Sequence, residues 1–184
     1  MQRFSDIHTH RPGKPSSVLS ISVTDVEQVL MSNEKLDTKQ YYSLQLHPWH
    51  LAGPQDIETY VAMARQLRED PYFVAIGECG LDALCSTPLS LQTDAFRAAL
   101  QLADELHKPV IIHCVKLWSQ LLAETKGHQG LMIIHGFRKG PELARQLLNA
   151  GFAISLGQHY HPEVRTMIPQ DQLFFETDEL SQIY

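Results

Sequence analysis

The feature that most constrains this chain is a rhythm. Short apolar or alternating runs recur between longer amphipathic ones from one end to the other. The short runs are Arg3 to His10, SVLSISV, YYSLQLHPW, YFVAIGECGLD, KPVIIHC, LMIIHGF, FAISLG and LFFETD. The inner ones are apolar on both faces, the pattern of parallel strands covered by helices. Between them lie helical stretches. PQDIETYVAMARQLRED keeps Ile57, Tyr60, Val61, Ala64 and Leu67 at helical spacing, and SLQTDAFRAALQLADELH places Leu91, Ala95, Phe96, Ala99, Leu102, Ala103 and Leu106 on one face. VKLWSQLLAETKG can be terminated by Gly127, and PELARQLLNAG has Pro141 at its start and Gly151 at its end. DVEQVLMSNEKL gives a weaker, shorter helical signal.

Eight strand candidates alternating mostly with helices match a closed (β/α)8 TIM barrel. An open doubly wound sheet is the competitor, but no glycine-rich phosphate turn follows the first strand. The barrel is compact and distorted, since only RPGKPSS separates the first two strands, too short for a helix. With 184 residues and 43% hydrophobic content the chain reads as one domain over residues 1–184. No apolar run reaches the roughly 20 residues that span a bilayer, and the start lacks the pattern of a signal peptide, so the expected location is the cytoplasm. Cys79, Cys85 and Cys114 form no CxxC pair and read as free thiols. A net charge of -6 argues against a general electrostatic grip on nucleic acid, although metal ions can supply positive charge to an acidic chain.

The ten histidines carry the chemistry. In DIHTH, strict strand alternation predicts that Asp6, His8 and His10 project together while Ile7 and Thr9 face the other way. Glu78 in AIGECGLD, His113 in PVIIHC, His135 in MIIHGF and Asp178 in FFETD stand at other strand ends. In a parallel barrel all of these lie on one rim. Four imidazoles and two carboxylates exceed what one tetrahedral site needs, and a carboxylate can bridge. The set therefore predicts two divalent ions, roughly 3.5–4 Å apart as in hydrolases that clamp both attacking and leaving oxygens. Zn, Mn, Mg, Fe and Ni are not distinguished by these ligands.

The ordered set DIHTH, LHPW, AIGECGLD, LQTDAF, KPVIIH, IIHGF and FFETD resembles the TatD family of metal-dependent hydrolases, within the amidohydrolase-like barrels. The resemblance implies that His8 and His10 bind a first metal, His113 and His135 a second, and that Glu78 bridges. It also implies that Asp178 binds the first metal and orients or deprotonates the attacking water, making Asp178 and Glu78 the catalytic pair. His47, before Pro48, matches the family's histidine-proline; a substrate contact and a structural turn are both open to it. The implied reaction is hydrolysis of phosphodiester or phosphomonoester bonds by a metal-activated water, with deoxyribonuclease activity in some members. The substrate is then a small phosphate ester or a nucleic-acid end, with no membrane and no stable protein partner. Amide or lactone hydrolysis, or a non-catalytic metal-binding barrel, are the alternatives.

Other residues carry weaker expectations. Trp49 and His50 could line the mouth, Gln92 and Phe96 serve packing, Asp6 could orient a ligand histidine, and His159 or His161 could touch a phosphate. Gln45 stands where the family often has glycine, and Val115 and Lys116 where it often has Arg-Asp. The sequence stops six residues after Asp178, without the C-terminal helices that close the barrel in the family. It reads either as an unusually small member or as a chain truncated near or after Asp178.

Overall fold

The computed structural model describes residues 4–13, 15–31 and 40–178. Its strands are β1 Asp6–Thr9, β2 Ser17–Ile21, β3 Tyr41–Leu46, β4 Phe73–Asp82, β5 Val110–Val115, β6 Met132–Ile134, β7 Ala153–Leu156 and β8 Leu173–Phe175. The helices are α1 Val23–Met31, α2 Pro54–Gln66, α3 Leu89–Leu106, α4 Trp118–Glu124, α5 Pro141–Asn149 and α6 Pro162–Met167, with a 3-10 turn at Pro48–His50. The eight strands pair in chain order, each parallel to the next. This is the expected (β/α)8 barrel, and no helix lies between β1 and β2. Arg3 of the expected first strand and residues 32–36 of the expected first helix lie outside the described residues. The six-residue α6 was not read from the sequence because it is too short to show a helical period.

Two layers of apolar side chains fill the structure. Outside the barrel, Ile76, Ile112, Ile134 and Ile154 pack against Tyr60, Phe96, Leu121 and Leu147 of the helices. Inside, at the N-terminal end of the strands, Ile7, Val18, Ala75, Ile111, Ile133 and Ala153 form a separate cluster. On β5 and β6 the alternation is strict. Ile111 and Ile133 face inward, Ile112 and Ile134 outward, and His113 and His135 inward again one layer higher.

β1 and β4 depart from it. Ile76 pairs with Val110 and Cys79 with Ile112, so β4 holds one residue more than β5 over this interval. Ile76 and Cys79 both face outward, and the bulge turns Glu78 inward where plain alternation from Ala75 would turn it out. Two glycines make this possible. A Cβ at Gly77 (φ +115) would lie 2.3 Å from the Ile111 carbonyl oxygen, and one at Gly80 (φ +148) 2.0 Å from that of His113. The GECG stretch is thus a bulge in which the two glycines flank one inward carboxylate. In β1, Asp6 pairs with Ser17 and Thr9 with Leu19, again one residue too many. Ile7 joins the lower layer and His8, its neighbour, enters the upper one. The predicted common face of Asp6, His8 and His10 is therefore corrected: Asp6 shares a face with Thr9, because the bulge breaks the alternation between Asp6 and His8.

No ladder joins β8 to β1 among the described residues, yet side chains link them. Asp6 accepts from the Thr177 backbone N–H at 3.2 Å, from the Thr177 hydroxyl at 2.7 Å and from the His8 backbone N–H at 3.3 Å. The Asp178 N–H reaches the His8 carbonyl at 3.1 Å. Among the described residues Asp6 bonds no imidazole and meets His8 through its backbone N–H, which corrects the expected contact to a histidine ring.

Candidate metal centre

Glu78 is the hub. It is 4% exposed, and its Oε1 lies 2.6 Å from His135 Nε2, 2.8 Å from His113 Nδ1 and 3.2 Å from His47 Nε2. Oε2 lies 3.3 Å from His8 Nε2. Asp178 Oδ1 stands 3.7 Å from His8 Nε2 and 3.9 Å from His10 Nε2. The six residues named as ligands, His8 in β1 and His10 just after it, Glu78 in β4, His113 in β5, His135 just after β6 and Asp178 after β8, thus gather at one end of the barrel.

Burial alone would push the Glu78 carboxyl up, but the charge of His135 and hydrogen bonds from His113, His135 and His47 outweigh it and hold it well below the usual carboxylate range. Burial would lower His135, and the carboxylates of Glu78 and Glu176 reverse this and raise it well above the ordinary histidine value. Among the described residues, no lysine or arginine pairs with Glu78, Glu176 or Asp178.

The geometry suits cations. Fully buried His8 has neither ring nitrogen hydrogen-bonded, although Nε2 points at two carboxylates. Such an orphaned nitrogen is costly unless something binds it. Ligand atoms bound tetrahedrally at about 2.1 Å lie roughly 3.4 Å apart, close to the 3.3 and 3.7 Å spacings around His8. Groups with atoms within 4.8 Å of one another are His8, His10 and Asp178; His8, Glu78 and His135; His47, Glu78 and His113; and His135, Glu176 and Asp178.

His47 has a different part. Its Nδ1 accepts the Trp49 backbone N–H at 3.1 Å, so Nε2 carries the ring proton and donates toward Glu78. Burial lowers its pKa, which favours this neutral form. Its Nδ1 thereby caps the Pro48–His50 turn, as the structural alternative expects, its Nε2–H faces Glu78, and its lone pair is not free for a metal.

Behind the histidines of this cluster stand two residues that sequence reasoning missed. Glu176 Oε1 accepts the Gly136 N–H at 2.6 Å, fixing the backbone next to His135, and lies 3.6 Å from His135 Nδ1, too far for a hydrogen bond. The ETD spacing carried the signal, since Glu176 and Asp178 are two apart. Asp82 Oδ2 accepts His113 Nε2 at 3.1 Å and the Trp49 indole N–H at 2.7 Å, leaving His113 Nδ1 directed at Glu78. Gln92, expected to serve packing, does more. It accepts the Asp82 N–H at 2.7 Å and donates to the Asp82 and Thr87 carbonyls, fixing the end of β4. His159 and His161 are exposed and join none of the ligand groups.

A family model described as TatD related DNase matches residues 9–180. The chain belongs to the TatD family. Among TatD relatives, the 3'-5' ssDNA/RNA exonuclease TatD of Erwinia billingiae is 36% identical over 146 residues, covering 72% of this chain and 55% of that protein. The metal-dependent hydrolase YabD of Bacillus subtilis is 32% identical over 146 residues, covering 71% and 56%. The chain spans about half the length of the curated relatives it matches. The TatD homologue YjjV of Escherichia coli K12 shares the fold, with a TM-score of 0.78 at 24% identity over 96% of this chain and 79% of that one. No helix among the described residues is long and apolar enough to cross a membrane.

Proposed function

We propose that this chain hydrolyses phosphoester bonds at a centre of two divalent ions, with the end of a single-stranded nucleic acid as its substrate. The observation that carries the reading is the buried Glu78 carboxylate ringed by His8, His47, His113 and His135, with Asp178 beside it. His8, His10 and Asp178 would hold one ion, His113 and His135 the other, and Glu78 both. When bound, the ions supply Lewis acidity and positive charge at the phosphoryl oxygens.

The chain's own groups do the rest. Asp178 sits at a left-handed φ of 39°, uncommon outside glycine, with its N–H tied to the His8 carbonyl. That fixes a half-buried carboxylate beside His8 and His10, placed to take the proton of the attacking water. His47 presents its Nε2–H to a substrate oxygen. Asp82 keeps His113 in position, and Glu176 fixes the backbone beside His135.

The test is hydrolysis of a 3'-labelled single-stranded oligonucleotide and of bis-nitrophenyl phosphate by protein loaded with Mn, Zn or Mg. The parent cleaves them, and Asp178→Asn loses turnover while keeping its melting curve. Full turnover by Asp178→Asn, or hydrolysis of a lactone and of no phosphoester, overturns the reading.

A further inference from the structure

The chain has two tryptophans, and both line one cleft. This cleft, of about 320 Å³, has His113, His135 and Asp178 in its wall and opens on the centre described above. Trp49 is 56% exposed, although its indole N–H is held by Asp82 and its backbone N–H by His47. The ring is therefore fixed in place with its polar edge satisfied, leaving a bare aromatic surface in water. Leu84, 67% exposed, lines a second opening against Trp49, so the indole stands as a wall between two clefts. Trp118 packs edge-on against Phe137, ring centres 6.3 Å apart, and keeps part of its surface in the first cleft.

The same cleft is bordered by Arg138 and Lys139, both exposed, neither paired with a carboxylate among the described residues. In a chain of net charge -6, two adjacent unpaired cations beside a fixed indole are a local exception. A flat aromatic group carried on a phosphate meets both features at once. Stacking serves any base, because every base has a π face, while the cations track the backbone.

We propose that this cleft holds the terminal nucleotide of the strand, its base stacked on Trp49 with Trp118 alongside, and its phosphate between Arg138, Lys139 and the Glu78 cluster. Trp49 is then a specificity-determining residue that selects a base-bearing end. The proposal rests on the phosphoester reading for its substrate, but its binding part can be measured without turnover.

Because both tryptophans lie here, intrinsic fluorescence reports this cleft. The metal-loaded protein is titrated with two short single-stranded oligonucleotides of equal length, one ending in 3'-adenosine and one in a 3'-tetrahydrofuran abasic residue, each joined through a terminal phosphorothioate to slow cleavage. The adenosine end is expected to quench the fluorescence and to bind roughly 5- to 150-fold more tightly than the abasic end. Trp49→Ala brings that ratio near one, whereas Trp49→Phe, which keeps a ring and loses the bond to Asp82, retains most of it. Arg138→Ala with Lys139→Ala weakens both ends and flattens the salt dependence of binding. Equal binding of the two ends by the parent, or an unchanged ratio in Trp49→Ala, overturns the stacking. An unchanged salt slope in the double variant overturns the phosphate contact. Failure to hydrolyse any phosphoester would sink the catalytic reading alone, since the titration still judges the cleft.

Discussion

Four strands bring the proposed ligands to the centre by two different routes. β5 and β6 are regular. Each carries an isoleucine into the lower barrel layer, turns the next isoleucine outward to the helices, and delivers a histidine to the upper layer. β1 and β4 are bulged, each holding one more residue than its neighbour, and the bulge is what turns His8 and Glu78 inward. The regular strands supply ligands that the barrel would position in any case. The bulged strands place the hub carboxylate and the buried histidine that faces it, at the expense of regular backbone pairing.

The comparison breaks most severely at Gly80. Gly80→Ala sets a Cβ against the His113 carbonyl at a backbone angle that side chains avoid, and should lower stability by roughly 2–5 kcal/mol, read as a fall in the denaturant midpoint. A wild-type midpoint would mean that β4 does not need to approach β5 this closely at Gly80. Next, Glu78→Gln keeps the bulge and removes the charge. Hydrolysis should fall to background while the circular dichroism spectrum is retained, and substantial remaining turnover would demote Glu78 from hub to bystander.

Smaller effects separate the supports of the two routes. Asp6→Ala strips the β8-to-β1 seam of its acceptor, costing about 1–3 kcal/mol and displacing His8 together with Asp178. On the regular side, Asp82→Asn should reduce metal affinity about 10- to 100-fold through His113, with a smaller change in melting temperature. If Asp82→Asn proved as destabilising as Asp6→Ala, the two would not differ in kind. The mildest change is Ile111→Val, one methylene from the lower layer of β5, expected to cost about 0.5–1.5 kcal/mol by thermal denaturation and to leave metal content intact.

The regular route was legible in the sequence. PVIIHC and MIIHGF state both period and polarity, and eight such runs define the barrel. The bulges were not, because an extra residue leaves no mark on a period of two. DIHTH therefore reads as a clean alternation, which sets Asp6 on the wrong face and against a histidine ring it does not bond. Glu78 was found through the motif around it, and its inward turn needed the contacts of Gly77 and Gly80 with β5. Glu176, Asp82 and Gln92 escaped for another reason. They act on residues 40, 31 and 10 positions away, and only the folded chain shows such partners.

The central claim is that the Glu78 cluster is built around two cations. Its most direct test is metal content by mass spectrometry after loading with Mn or Zn and removal of excess ion, comparing the parent with Glu78→Gln. The account predicts close to two ions per parent chain and a clear loss in the variant. Less than one ion per parent chain, or the same content in both proteins, would contradict it.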